Sequence, residues 1–134
     1  MPVALEIVSP EKLLLSRPVD MVVIPAAEGD IGVLEGHAPM IVTLRGGEID
    51  LYAGEQISER LYVAGGFAEI TPERCTVLAN EAIPVAELSR AEGERRLKEA
   101  EAAYEAADTS DPAVEDALLD RIQSARAMVE IAAG

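Results

Sequence analysis

The texture of the chain changes at Pro84, and that change limits the folds open to it. Before Pro84, glycine and proline punctuate short runs rich in Val, Ile and Leu. After it come fifty residues dominated by Ala and Glu. The break divides the 134 residues into a β-rich unit, 1–85, and a helical unit, 86–134, which suits one small domain with an appendage.

In the first unit Val3–Val8 alternates, with Val3, Leu5 and Ile7 on one face, and Ser9-Pro10 stops the run. Similar short runs follow at Lys12–Leu15, Val19–Pro25, Ile31–Leu34, Met40–Leu44, Glu48–Tyr52, Arg60–Ala64, Phe67–Ile70, Cys75–Ala79 and Glu81–Val85. About ten short strands with turns every ~8–12 residues predict a β-sandwich or barrel. One Phe, three Tyr and no Trp leave Val, Ile, Leu and Ala to build the core.

The second unit predicts an antiparallel helical hairpin. Gly93, Leu97, Ala100, Tyr104 and Ala107 form one stripe, and Val114, Leu118, Ile122, Ala125, Val129 and Ala132 form another. Between them Asp111-Pro112 is a start signal, a capping carboxylate followed by proline at the first helical position. So Ala-rich a seam buries little area, at ~25 cal/mol per Å². A loosely held, movable hairpin and one fixed on the sandwich are both open readings.

The net charge of −14 argues against nucleic acid or anionic lipid as partner, and favours neutral or basic protein surfaces. Cys75 is the only cysteine, and it reads as a buried small hydrophobe in a strand. The first residues lack a basic start followed by an apolar block, and no apolar run approaches the ~20 residues of a membrane span. A cytosolic chain without direct membrane insertion, peripheral through a partner, is expected.

The densest chemistry lies in Ile24–Pro39, IPAAEGDIGVLEGHAP, with three glycines, two prolines, three carboxylates and the single histidine. Glu28-Gly29-Asp30 reads as a turn. Glu28, Asp30, Glu35 and His37 lack the number and spacing of ligands that a metal site needs. His37, between Gly36 and Ala38-Pro39, reads as a ring that hydrogen-bonds a turn. Gly65-Gly66 lacks the Lys-Ser/Thr of a phosphate loop and reads as a bulge or close backbone approach. Glu87 and Arg90, three residues apart at the start of the first helix, read as a surface ion pair.

With these motifs in hand, the chain resembles the ε subunit of bacterial F-type ATP synthase. EGDIGVLEGHAP, VAGGFAEI and TVLANEA stand in the order of that family, over roughly residues 5–84. The hairpin matches by layout more than by identity. The resemblance implies a ten-stranded β-sandwich followed by two helices. It implies a non-catalytic subunit of the rotor stalk, on the cytoplasmic face of the bacterial membrane. Its sandwich would bind γ and the c-ring, and so couple proton flow to ATP synthesis. Its hairpin would reach the α/β catalytic head transiently and restrain hydrolysis.

Carried over residue by residue, Asp30 takes the place of an acid that faces the c-ring loops, and Glu28, Gly29, Ile31 and His37 belong to the same docking turn. Glu35 departs from the Pro that many members carry before GHAP. The nucleotide-binding pattern of some members is only partly kept: Arg90 and Ala91 match, Glu87 is a longer acid, and Ala86 loses an aliphatic anchor. No cofactor is expected, with ATP the one regulatory ligand to consider. Arg121 and Arg126 stand among Glu115, Asp116, Asp120 and Glu130, so weak inhibition by the hairpin, or none, is expected. The alternatives are a nucleotide-sensing regulator, a generic sandwich adaptor, and a cupin-like metal enzyme, which a single histidine nearly excludes.

Overall fold

The computed structural model describes residues 2–133. Eight strands come first among them: β1 (Val3–Val8), β2 (Leu13–Val19), β3 (Met21–Ala26), β4 (Gly29–Val33), β5 (Met40–Ala53), β6 (Gln56–Ile70), β7 (Arg74–Ala79) and β8 (Ala82–Pro84). A 3-10 turn, Val85–Glu87, leads into α1 (Arg90–Ala106) and then α2 (Pro112–Ala133).

The ten expected runs appear as eight strands because two pairs are continuous. β5 takes in both Met40–Leu44 and Glu48–Tyr52, and β6 both Arg60–Ala64 and Phe67–Ile70. The intervening glycines bend these strands without ending them. Gly65 and Gly66 have φ of +109° and +116°, and a Cβ on Gly66 would lie 2.0 Å from the Leu78 carbonyl oxygen. Only glycine fits there.

Since β5 and β6 bend side by side, each begins in one layer and ends in the other, a corner of the kind that closes sandwiches. The second half of β5 pairs with β3, which pairs with β4, while the first half of β6 takes β8. The second half of β6 pairs with β7, β7 runs parallel to β1, and β1 pairs with β2. Between the layers Val3, Leu5, Ile7, Val22, Ile24, Val33, Ile49, Leu51, Val63 and Val77 are fully shielded from water. Cys75 joins them, and burial pushes its thiol up to about 11.

The hairpin lies against the outer face of the first layer, that of β3, β4 and β8; β7, β1 and β2 make up the second. Its helices meet at Gly93, Ala100, Ala125 and Met128, and a Cβ on Gly93 would stand 3.1 Å from Met128 Cγ. Met128 displaces part of the predicted stripe because α2 packs on two surfaces, α1 and the sheet. Tyr104 Oη donates to Glu115 across the helix pair at 2.9 Å. Asp111 Oδ1 accepts from the Ala113 N–H, and Pro112 opens α2 as its sequence predicts. The cap of α1 is Ser89, whose hydroxyl accepts from the Glu92 N–H, and Glu87 falls one turn earlier.

Polar contacts from Gln123, Ser124 and Arg96 hold the hairpin down. The Gln123 amide donates to the Gly46 carbonyl at 2.7 Å and accepts from the Gly46 N–H at 2.8 Å, as a paired strand would. Tyr62 Oη donates to the Ser124 carbonyl at 2.9 Å, and the Ser124 hydroxyl lies 3.4 Å from the Ala64 carbonyl. Arg96 forks onto both oxygens of Glu81 at 2.5 and 2.9 Å. A Cβ on Gly46 would stand 2.5 Å from Ser124 Cα, so this glycine is what lets α2 approach.

Candidate docking surface

The tip of the β3–β4 hairpin carries the first candidates. Ala26 pairs with Gly29 and Pro25 with Asp30, so Ala27-Glu28 is the turn, and Gly29-Asp30 already belong to β4. Gly29 adopts φ +145°, glycine territory. Glu28, Gly29 and Asp30 are exposed, whereas Ile31 packs its side chain on the core. Asp30 is not a free charge. Arg45 Nη2 donates to Asp30 Oδ1 at 2.6 Å, and Arg45 Nη1 donates to the Ala26 carbonyl, so one guanidinium ties both sides of the tip.

His37 lies elsewhere. It follows β4, beyond the end opposite the tip, and β4 spans five residues at ~3.3 Å each. The Gly36 N–H donates to the Pro72 carbonyl, and the His37 N–H to that of Leu34. The ring's Nδ1 lies 2.8 Å from the Ala38 carbonyl, which can only accept, so Nδ1 carries the proton. His37 therefore shapes its own turn, and the grouping of His37 with Glu28–Ile31 into one docking turn separates into two places.

An apolar row that no single run of the sequence shows lies on the outer face of the second layer. Thr43 faces Phe67, Phe67 faces Leu78, Leu78 faces Val8 and Val8 faces Leu13 across four neighbouring ladders. Phe67 is 47% exposed, Leu13 54%, and Ile41, one row along, 70%. One signal was legible beforehand: Phe67 is out of phase with the inward-facing Ala68 and Ile70. Outward sheet faces are ordinarily polar, and a contiguous apolar patch marks a surface that meets a partner.

On the other outer face, Glu48 and Asp50 lie two residues apart on β5 and point the same way. The Glu48 carboxyl is pushed up to about 7, first by its hydrogen bond with Asp50 and then by burial, while Arg60, 3.9 Å away, pulls it down. Asp50 Oδ1 is buried without a hydrogen-bond partner.

The nucleotide candidates Glu87, Arg90 and Ala91 are all exposed. Arg90 pairs with Glu94 at 3.1 Å and not with Glu87, because Glu87 precedes the helix. A cleft of about 570 Å³ between hairpin and sandwich is lined by Tyr62, Glu81, Arg95, Arg96, Arg121 and Ser124. Arg95 is already held by Glu92 and Glu99, and Arg96 by Glu81 and Glu92.

Residues 2–85 match the family model of the β-sandwich domain of the ATP synthase delta/epsilon chain. The chain belongs to the ATP synthase epsilon chain family. It is 68% identical over 129 residues to the ATP synthase epsilon chain of Granulibacter bethesdensis, covering 96% of each chain. It is 48% identical over 134 residues to that of Gluconacetobacter diazotrophicus, covering 100% of this chain and 95% of the relative. Its fold is similar to a chain in the cryo-EM structure of the Euglena gracilis mitochondrial ATP synthase, with a TM-score of 0.76 and 23% identity over 99% of this chain and 82% of that one. A chain in the Tetrahymena thermophila mitochondrial ATP synthase central stalk and c-ring structure gives a TM-score of 0.71 at 12% identity, over 98% and 97% of the two chains. Sandwich and hairpin thus form one family architecture.

Proposed function

We propose that this chain is a non-catalytic subunit of the rotor stalk, docking on γ through the outer face of the second layer and on the c-ring through the β3–β4 tip. The observation that carries this reading is the apolar row from Leu13 through Phe67 to Thr43. A surface of that kind gains more from a protein neighbour than from water, at ~25 cal/mol per Å² buried. The tip supplies a contrasting contact, exposed and charged, suited to polar loops.

The role is assembly and coupling, with the chain peripheral on the cytoplasmic face of the bacterial membrane. No helix among the described residues is long and apolar enough to cross a membrane. The hairpin rests on the sandwich, held by Gln123, Ser124 and Arg96, and its mixed charge fits weak restraint of the catalytic head. The nucleotide-sensing reading gains little from the cleft, whose Arg95 and Arg96 a phosphate would have to take from carboxylates, leaving Arg121 as the remaining lining cation.

Asp30→Arg tests the c-ring contact. It reverses the charge at the tip and places two cations side by side. Proton-driven ATP synthesis by the reconstituted enzyme is expected to fall severalfold while ATP hydrolysis by the detached catalytic head is unchanged. An unaltered synthesis rate would remove the tip from the c-ring contact.

A further inference from the structure

The ladder geometry of β5 points to how the partner is held, an inference that rests on the docking just proposed. The second half of β5 pairs on both sides, but Met40–Thr43 pairs only with β6. Its other side receives one bond, from the Ala27 N–H to the Thr43 carbonyl at 2.8 Å. In an antiparallel ladder the N–H and C=O of one residue point the same way, and residues alternate. The Thr43 carbonyl therefore marks the open side, and the Ile41 N–H, the Ile41 carbonyl and the Thr43 N–H share it.

β3 and β4 leave β5 at this level and open a groove of about 510 Å³ between Ala26–Ile31 and Met40–Thr43. Natural edges are ordinarily guarded by charges, proline or cover. The opposite edge of this layer, β2, carries Arg17 and Pro18, with Arg17 paired to Glu59. Met40-Ile41-Val42-Thr43-Leu44 carries no charge at all. The edge is also continuous with the apolar row, because Ile41 and Thr43 project onto the same outer face as Phe67.

We propose that an extended segment of the stalk partner adds to β5 as a further strand, bonding to the N–H and carbonyl of Ile41 and to the N–H of Thr43, whose carbonyl Ala27 already holds. Such strand addition draws affinity from backbone bonds and specificity from alternate side chains. The side chains on the outer face would be aliphatic, to cover Ile41 and Phe67. A Lys or Arg in the segment would meet Glu69, which faces Ile41 across the ladder, or the exposed Glu28.

Hydrogen exchange on the full chain, alone and with purified γ, reads the proposal directly. The Ile41 and Thr43 amides are expected to exchange fast in the free chain and to slow at least about 100-fold in the complex, since they would sit in a closed ladder. The Val42 amide, already bonded to β6, stays slow in both. Ile41→Pro removes the outward N–H without taking a bond from the β6 ladder, and is expected to bind γ about tenfold more weakly than Ile41→Thr, which also loses the isoleucine side chain but keeps the N–H. A complex that forms with the Ile41 amide still fast overturns strand addition and leaves face docking standing. Absence of any complex overturns both.

Discussion

Leu5 in β1 and Ala100 in α1 are both sealed from water, yet they hold different things together. Leu5 belongs to a continuous layer of Val, Ile and Leu between two halves of a folded sheet. Ala100 gives one methyl to a seam whose other members are Gly93, Ala125 and Met128. The sandwich encloses an apolar core made of its own strands. The hairpin has little, and relies on Gln123, Tyr62 and Arg96 to keep it on the sheet. On the proposed reading, docking falls to the region that buries the larger apolar surface, and the region that buries little is the easier one to detach.

The largest expected effect falls on the core side of this contrast. Leu5→Ala should lower global stability by about 2–5 kcal/mol in a denaturant melt. Ala100→Gly should cost about 1 kcal/mol, and only in the helical signal. Equal costs at the two sites would dissolve the distinction.

A smaller effect is expected where the two regions meet. Glu48 lies on β5 two residues from Gly46, and its folded pKa of about 7 stands above the ordinary 4.5. A carboxyl raised in this way stabilises the folded state while protonated. The benefit is full below about 4.5 and is lost as pH rises through about 7. The wild type should therefore be less stable at pH 8 than at pH 5.5, by on the order of 1 kcal/mol, and Glu48→Gln should flatten that slope. A slope that survives Glu48→Gln places the titration elsewhere.

Most of the architecture was legible in the residues. Alternation placed the strands, and Asp111-Pro112 placed the start of α2. Gly65-Gly66 was legible as a close backbone approach, but neither it nor Gly46-Gly47 as a bend in a continuous strand, because alternation reads the same whether a strand turns a corner or stops. The Arg45–Asp30 pair was not legible, because Arg45 reaches Asp30 only through the β3–β5 register. His37 looked like its neighbour because nearness in sequence hides the length of β4. The apolar row is assembled from five strands, and no single run shows it. Tyr62 reads as an ordinary strand residue until α2 is laid over it.

Partner docking, as proposed, belongs to the sandwich face and not to the hairpin. Affinity of the full chain for γ, measured by calorimetry on two variants, tests it most directly. Phe67→Glu puts a charge in the apolar row on an exposed position that the fold does not need. Gly46→Ala pushes a Cβ to within 2.5 Å of the α2 backbone and should lift the hairpin from the sheet. Phe67→Glu is expected to bind at least about 100-fold more weakly, a loss of about 2.7 kcal/mol, and Gly46→Ala to bind nearly as the wild type does. Near wild-type binding by Phe67→Glu with loss in Gly46→Ala would contradict it.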